Sequence, residues 1–342
     1  LDCFHPSMEV LTDSGWKKWP ELDHTEKLAT VNDRDELEFQ TPTQWIVRPY
    51  SGKLVRFESR TISCSVTPTH RMIVYRQLSR DKWHVIQADK VPRQNLIKLC
   101  PNKPWAVESP EFTELIRPFR SRRPAAEVRT TDYAELLGWY IAEGSRDHTI
   151  RMPGVGYRVT ISQRKPAGIE ALVPLLDRLP WKFLKDGDNY ICSSKQLWSL
   201  IEGMNVGNRS WNKRVPGWIK NSSAEVISAF LKGYLAGDGW VCKDRHHCAT
   251  VSPDLASDIQ ELYLRTGVHS SIRVKKGGAW SIEGRSGFGR DQYWVIPRNG
   301  FASLVNRSNE SIVSEEDYTG NVYCATVPNS TLIVRRNNKV MV

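Results

Sequence analysis

The stretch Phe230–Trp240, FLKGYLAGDGW, has a weaker copy about ninety residues earlier at Leu136–Ser145, LLGWYIAEGS. Each copy places two small residues four positions apart, and each ends in an acid followed by glycine, Glu143–Gly144 and Asp238–Gly239. Residues four apart lie on one face of a helix, and a glycine inside a helix costs about 1 kcal/mol relative to alanine. The repeated pattern therefore predicts two helices whose backbones touch, with the two acids side by side at their C-terminal ends.

Local signals at both ends support these helices. Asp132 with Glu135, and Ser222 with Glu225, have the spacing of a capping box at the start of a helix. The glycine after each acid is predicted to be a left-handed C′ residue. A pair of buried helices with incidental acids is the alternative, and the repetition of the acid in register argues against it.

The composition of the whole chain is that of a globular protein. Its 342 residues suggest about two domains, with 40% hydrophobic and 25% charged residues. No apolar run approaches the roughly 20 residues that span a bilayer, and no signal segment begins the chain, so we expect a cytoplasmic protein without a membrane partner. The seven cysteines contain no CxxC pair and do not indicate a disulfide framework. The net charge of +10 favours a polyanion such as nucleic acid, although a merely basic surface is the alternative.

The two ends of the chain have the same character. Residues 1–105 read as short strands between turns, and residues 310–342 return to strands, with a turn at Asn337–Asn338. We therefore predict one discontinuous all-β domain. Residues 106–129 hold several prolines and a basic run, Arg117–Arg123, and are predicted to be a linker.

Residues 130–309 alternate helices and strands in the order αββαββα, which occurs twice, over about 130–221 and 222–309. The last helix of the second repeat is predicted near Phe301–Asn306. This internal duplication predicts an α/β domain with a saddle-like pair of sheets related by a pseudo-twofold axis.

Two carboxylates forced together are costly unless a cation lies between them, and oxygen ligands suit Mg²⁺. The strands beside the acids are rich in cations that would contact the DNA backbone and bases. The candidate DNA-binding residues are Arg146, Arg151, Arg158 and Arg164 in the first repeat, and Lys243, Arg245, Arg273 and Lys275 in the second.

The two motifs resemble those of the LAGLIDADG homing endonucleases in their single-chain form, over about residues 130–306. The resemblance implies that Glu143 and Asp238 are catalytic, metal-binding acids and that the substrate is double-stranded DNA. Asn212–Pro216, NKRVP, resembles a lysine-bearing motif of intein-borne members, which makes Lys213 a catalytic candidate. A solvated lysine before a turn is the alternative, and Lys275 or Lys276 is the candidate counterpart in the second repeat.

The β segments resemble an intein, whose Hint fold is an all-β, horseshoe-like domain. Cys3–Leu22 resembles the N-terminal block of that family, Thr67–His70 (TPTH) its T-x-x-H block, and Val322–Pro328 (VYCATVP) its penultimate block. The resemblance implies that Cys3 attacks the carbonyl of Asp2 to form a thioester, while Thr67 and His70 hold and protonate the scissile amide.

Two features depart from the intein pattern. Many inteins have Asp where Cys324 stands, so this thiol either modulates the chemistry or is simply buried. The printed chain stops at Val342 without the terminal asparagine of the family, so we expect an N-terminal thioester and no splicing. Leu1 and Asp2 are then a remnant of the flanking host segment, or extein.

The sequence thus predicts a monomeric, multidomain protein in which an inserted endonuclease interrupts a splicing domain. One alternative is a degenerate endonuclease that binds DNA without cutting it, and another is a Hint module with a purely structural insert. Cys242–Cys248, CKDRHHC, loosely suits a zinc site, but the segment falls where a DNA-reading hairpin is expected.

Overall fold

The computed structural model describes residues 2–76, 79–92, 95–115, 126–151, 154–282, 285–304 and 312–342. The chain divides into two compact units. The first unit comprises Leu1–Ala106, Tyr263–Ile272 and Pro297–Val342, and the second comprises Val107–Leu262 and Arg273–Ile296.

The described residues form the following helices and strands, numbered in chain order. The helices are α1 (Thr130–Glu143), α2 (Pro166–Arg178), α3 (Lys195–Gly203), α4 (Gly217–Lys220), α5 (Ala224–Asp238) and α6 (Pro253–Arg265). The strands are β1 (Glu9–Thr12), β2 (Gly15–Lys18), β3 (Leu28–Val31), β4 (Leu37–Gln40), β5 (Gln44–Glu58), β6 (Ser63–Val66), β7 (Arg71–Arg76), β8 (Ser79–Gln87), β9 (Asn95–Lys98), β10 (Phe112–Leu115), β11 (Ala126–Arg129), β12 (Gly144–Arg151), β13 (Gly154–Ser162), β14 (Leu184–Asp186), β15 (Asn189–Cys192), β16 (Gly239–Cys242), β17 (Arg245–Thr250), β18 (Ser270–Lys275), β19 (Ala279–Ile282), β20 (Arg285–Phe288), β21 (Gln292–Pro297), β22 (Phe301–Ser303), β23 (Val313–Thr326), β24 (Val334–Arg336) and β25 (Lys339–Met341).

The first unit is built mainly from antiparallel strands. One set has the order β25-β24-β1-β3-β4, a second has the order β22-β9-β7-β8, and a third has the order β23-β5-β6. Its main core packs Phe57, Val66 and Val74 from different strands. The two-residue turn at Asn337–Asn338 joins β24 to β25 with both residues in the left-handed region, which confirms the predicted turn.

Two predictions for this part of the chain were wrong. Phe301–Ser303 forms strand β22 and pairs with β9, in place of the predicted helix. Strand β5 is 15 residues long, in place of the short strands predicted for residues 1–105, because it pairs along its length with β23 from Val313 to Thr326. Much of this ribbon is solvent-exposed on both faces, so its sequence lacks the alternation that marks a half-buried strand.

The second unit contains the predicted repetition. The first repeat runs α1-β12-β13-α2-β14-β15-α3, and its sheet has the order β12-β13-β15-β14. In the second repeat the corresponding strands have the order β16-β17-β21-β18, with the hairpin β19-β20 inserted between β18 and β21. The shared strand order confirms the internal duplication, but Phe301–Ser303, where the last helix of the second repeat was predicted to begin, form a strand.

The predicted linker is also partly folded. Strands β10 and β11 pair as an antiparallel hairpin that belongs to the second unit, with Phe112 opposite Arg129. The basic run Arg117–Arg123 lies outside the described residues.

The helices α1 and α5 pack through their glycines. A Cβ atom at Gly138 would lie under 3.0 Å from the carbonyl oxygen of Phe230, and one at Gly233 would lie as close to that of Glu135. Real Cβ atoms essentially never approach backbone atoms so closely. The prediction that the two backbones touch is therefore confirmed.

The predicted end signals of these helices need correction. Helix α1 begins at Thr130 without a side-chain cap, and Asp132 instead accepts hydrogen bonds from Arg178. Helix α5 is capped by Ser223, one residue later than predicted. Gly144 and Gly239 have extended backbones with φ of −91° and −95°, so neither is left-handed. A Cβ atom at either position would clash with the last turn of the preceding helix, so the lack of room for a side chain explains why glycine stands there.

Candidate functional site

The two predicted acids meet at the C-terminal end of the helix pair. A Cβ atom at Gly237 would lie 2.6 Å from Cβ of Ala142 and 3.0 Å from Cγ of Glu143. The side chain of Glu143 therefore lies against the residue that precedes Asp238. Any larger residue at position 237 would push Glu143 away from this position.

Electrostatics reflect this proximity. Burial, followed by the negative charge of Glu143, raises the pKa of Asp238 to about 7. The positive charges of Lys213 and Lys165 oppose the shift. Two carboxylates and two lysines thus act on one another at the ends of α1 and α5.

Lys213 lies at the end of α1. Its Nζ donates a hydrogen bond of 2.7 Å to the carbonyl oxygen of Ile141, and it is also within 3.4 Å of Ala142 O and 3.3 Å of Gly144 O. Burial lowers its pKa, while the charges of Asp238 and Glu143 act in the opposite direction. These contacts exclude the alternative of a freely solvated lysine.

A second lysine was not assigned from the sequence. Lys165 Nζ donates to the carbonyl oxygen of Gly237 at 3.3 Å, so it lies at the end of α5 much as Lys213 lies at the end of α1. The predicted counterparts are elsewhere: Lys276 pairs with Asp291 at 2.8 Å, and Lys275 is exposed on β18. The signal in the sequence that could have identified Lys165 was its position, since it follows β13 and immediately precedes helix α2.

The donor set suits a hard divalent cation. Carboxylate oxygens are the ligands that Mg²⁺ prefers, and a cation would offset the repulsion that raises the pKa of Asp238. Within the described residues no group of three or more His, Cys, Asp or Glu side chains could hold a metal by themselves. The zinc alternative has no such group either, because Cys242 and Cys248 lie at opposite ends of the β16-β17 hairpin.

The candidate DNA-binding residues of the first repeat do not share one face of the sheet. Arg146 is opposite the buried Val159, and its Nε donates to Glu202 at 2.6 Å while Nη1 donates to Tyr140. The neighbouring Arg158 points to the other face and is exposed. Arg146 therefore has a structural role within the unit, while Arg158 remains a candidate. Arg164 is exposed too, and the side chain of Arg151 lies outside the described residues.

In the second repeat the four candidates are all exposed. Lys243 occupies the tight turn of the β16-β17 hairpin with φ of 50°, Arg245 lies on β17, and Arg273 and Lys275 lie on β18. Sequence analysis missed an aromatic cluster on the outer face. Trp240 packs edge-on against Trp294 and beside His247, with ring centroids 5.4 and 5.6 Å apart. Alternation along β16 and β17 places Arg245 on the same face.

A second site lies in the first unit. The amide N–H of Cys3 donates to Oγ1 of Thr67 at 3.0 Å, and the amide N–H of Thr67 donates to the carbonyl oxygen of Cys3 at 3.0 Å. The ring of His70 forms a hydrogen bond with the backbone of Asp2 that favours the protonated ring. The ring is therefore the donor and the carbonyl of Asp2 the acceptor. Both sides of the Asp2–Cys3 peptide bond are thus contacted.

Cys3 is buried in this site, whereas Cys324 is half-buried. Burial raises the pKa of Cys3, and burial lowers the pKa of His70 to about 4, so His70 is neutral at pH 7. Burial, followed by the charge of Cys3, raises the pKa of Cys324 to about 12. Cys3, His70 and Cys324 line one cleft of about 530 Å³ together with Asp2. Thr67 is hydrogen-bonded to Cys3, so the structure brings together all four residues predicted from the β segments: Cys3, Thr67, His70 and Cys324.

Comparison with known proteins identifies part of the chain. Residues 225–318 match the family model of the LAGLIDADG-like domain. The matched residues cover nearly all of the second repeat and continue into β23. No described helix combines the length and the apolar character that crossing a membrane requires.

Curated relatives match nearly the whole chain. It is 23% identical to the proteolytic subunit of the ATP-dependent Clp protease of Chlamydomonas moewusii, over 80% of this chain and 29% of that protein. It is 25% identical to the C-terminal section of the RNA polymerase β subunit of Stigeoclonium helveticum (98% and 36%), and 23% identical to the DNA helicase Hel308 of Thermococcus kodakarensis (94% and 34%). The chain spans about a third of the length of these relatives.

Solved structures with similarity include the homing endonuclease I-DmoI in complex with DNA and manganese. That comparison has a TM-score of 0.36 and 20% identity, over 49% of this chain and 90% of I-DmoI. A class 3 split intein, AceL NrdHF, gives a TM-score of 0.25 and 11% identity, over 57% of this chain and 99% of the intein.

Proposed function

We propose that the second unit is a metal-dependent, sequence-specific endonuclease for double-stranded DNA that acts inside the cell. The observation that carries this proposal is the contact at Gly237, which holds Glu143 beside Asp238. Such a pair has no stabilising role in the fold, since burial and repulsion raise the pKa of Asp238. The match of residues 225–318 to the LAGLIDADG-like domain supports the same function.

Each residue of the site has a defined task in this proposal. Glu143 and Asp238 hold a divalent cation, most simply Mg²⁺, and the exposed cations of the two sheets bind the DNA backbone. The cation held by these two acids would supply the positive charge that activates water and stabilises a leaving oxygen in phosphodiester hydrolysis. Lys213 and Lys165 offset the negative charge that the acids and the phosphate bring together.

A cleavage assay tests this proposal. The substrate is a plasmid in which the host coding sequences that flank this coding segment are joined without it, and the expected result is linearisation that requires Mg²⁺. Glu143→Gln and Asp238→Asn should each lower the rate by about 10³-fold or more, because each removes a metal ligand. Glu225→Gln is the matched control, since this exposed acid lies in the first turn of α5.

The same assay decides between the candidate functions. Binding of the joined site by gel shift without any cutting would mean a degenerate endonuclease that acts as a DNA-binding module. Neither binding nor cutting would mean that the insert is structural, and either result overturns the proposal.

We further propose that the first unit is a Hint domain that forms a thioester at Cys3. Hydrogen bonds hold the N–H of Cys3 and the carbonyl of Asp2, the two sides of the bond that must be broken. Sγ of Cys3 bonds to the carbonyl carbon of Asp2, the bond from that carbon to the nitrogen of Cys3 breaks, and the nitrogen gains the proton that the thiol loses. The neutral His70 polarises the carbonyl through its N–H, and Thr67 orients the amide. Flanking host segments are then the partners of this unit.

The relatives add independent support for an inserted element. A protease subunit, an RNA polymerase and a helicase have unrelated activities, yet each matches 80% or more of this chain over about a third of its own length. One mobile insert in several hosts explains this pattern.

Thiol-induced cleavage tests the thioester. Incubation with dithiothreitol should release the segment before Cys3, and Cys3→Ala should abolish the release. Cys64→Ala is the matched control, because Cys64 is also a buried cysteine of this unit but has no role in the proposed reaction. Release that persists in Cys3→Ala, or none in the parent, would sink the assignment.

A further inference from the structure

The segment that holds the Asp2–Cys3 bond also binds the side chain before it. Arg71 begins strand β7, directly after His70, and its Nε donates to Oδ2 of Asp2 at 2.9 Å. Thr67, His70 and Arg71 thus contact the amide N–H of Cys3, the backbone of Asp2 and the carboxylate of Asp2 in turn. The first two contacts serve thioester formation, and the third has no part in that reaction.

The contact acquires a role once a thioester exists. An aspartate carboxylate is placed to attack its own backbone carbonyl, because the product is a five-membered cyclic anhydride. In that step Oδ of Asp2 bonds to the Asp2 carbonyl carbon, the bond from that carbon to Sγ of Cys3 breaks, and the sulfur takes the electron pair and then a proton. Water opens the anhydride, and the segment before Cys3 is lost. A thiolate leaves far more easily than an amide nitrogen, so the thioester is the vulnerable state.

We propose that Arg71 is a positioning residue that holds the Asp2 carboxylate away from its own carbonyl and so protects the thioester at Cys3. The same contact makes the site selective for an acidic side chain before Cys3. This inference rests on the proposed thioester function. Arg48 lines the same cleft and is exposed, but Arg71 is the residue that forms the ion pair with Asp2.

The exposure of the pair sets the size of the effect. The side chains of Arg71 and Asp2 are 59% and 38% exposed, and exposed ion pairs are weak. We therefore expect Arg71→Gln to speed the thiol-free loss of the preceding segment by about threefold to fivefold.

The experiment uses the full chain with a small reporter domain fused before Leu1. Release of the reporter is followed without thiol and with dithiothreitol, and the fragment is identified by its mass. In Arg71→Gln the thiol-free rate should rise while the thiol-induced rate stays within about twofold of the parent. Arg34→Gln, at an exposed arginine of the same unit that does not line the cleft, should change neither rate, and Arg71→Lys should restore part of the protection.

Two further readouts separate the proposed step from general damage to the site. In an Asp2→Ala background, Arg71→Gln should have no effect, because no carboxylate remains to attack. The extra release in Arg71→Gln should be nearly independent of pH between 6 and 8, whereas attack by hydroxide rises about tenfold per pH unit.

The outcomes distinguish a failure of the role of Arg71 from a failure of thioester formation at Cys3. If thiol-induced release is normal and depends on Cys3, but Arg71→Gln does not change the thiol-free release, only the role of Arg71 is overturned. An effect that persists in Asp2→Ala overturns it too. Absence of thiol-induced release in the parent overturns the thioester and the role of Arg71 together.

Discussion

The two repeats of the second unit have the same strand order but different functional ends. In the first, Lys213 donates to carbonyl oxygens at the end of α1 and is largely withdrawn from solvent. At the acid of the second repeat the lysine is Lys165, which comes from the first repeat, is more exposed and donates to Gly237 O at the end of α5, and burial raises the pKa of Asp238. Duplication therefore preserved the frame and the acid, while the surroundings of each acid diverged. A shared fold does not imply equal electrostatics at equivalent positions.

The glycine seam is the feature the repeats share most closely, and it should be the most sensitive to change. Gly138→Ala and Gly233→Ala would each force a Cβ against a backbone carbonyl, so we expect each to cost about 3–5 kcal/mol of unfolding free energy. Urea unfolding measures this cost. The control is Gly203→Ala at the end of α3, where a Cβ meets nothing within 4 Å and the expected change is about 0.5 kcal/mol or less. Equal, small losses at all three glycines would contradict a close-packed seam.

The raised pKa of Asp238 makes the stability of the protein depend on pH. The folded protein keeps this proton up to about pH 7, whereas an aspartate in the unfolded chain has its ordinary pKa of 3.8. The folded state therefore binds more protons between these values, and its stability falls as the pH rises through that window. In the presence of a metal chelator, the unfolding free energy of Asp238→Asn should exceed that of the parent by about 1–3 kcal/mol at pH 8, a range that allows for the partial exposure of Asp238. At pH 4 the two unfolding free energies should be nearly equal.

Urea unfolding at the two pH values measures the difference, with Glu225→Gln as the control. Added Mg²⁺ should stabilise the parent at pH 8 and have little effect on Asp238→Asn, because a ligand that binds the folded state raises its stability. If the parent is as stable as the variant, or more stable, at pH 8 without metal, burial does not hinder the ionisation of Asp238.

The smallest expected effect distinguishes the two faces of the first sheet. Arg158→Gln should weaken binding to the joined host site about threefold and reduce the slope of log affinity against log salt by about 1. Arg146→Gln should leave that slope unchanged and lower stability instead, because Arg146 bonds Glu202 and Tyr140 within the unit. Fluorescence anisotropy across salt concentrations measures both. A lowered slope for Arg146→Gln would contradict its structural assignment.

The predictability of the site differs from residue to residue. Glu143, Asp238 and Lys213 were found because each belongs to a short motif, and so were Cys3, Thr67 and His70. Lys165 and Arg71 were not assigned, since their roles depend on partners 72 and 69 positions away in the chain. Arg146 was grouped with Arg158 although alternation along paired strands places them on opposite faces.

The sequence by itself determined the paired helices, the acids at their ends, the duplication and the β character of both chain ends. These features depend on local spacing and on the few side chains that fit a crowded backbone. Only the tertiary structure decided that Phe301–Ser303 is a strand, that β10 and β11 pair with each other in the second unit, and that Lys165 lies at the end of α5. Each of those depends on pairing with distant segments, and a window of sequence carries no record of its partner. The acids of LLGWYIAEGS and FLKGYLAGDGW could be read from the chain, but the charges around them could not.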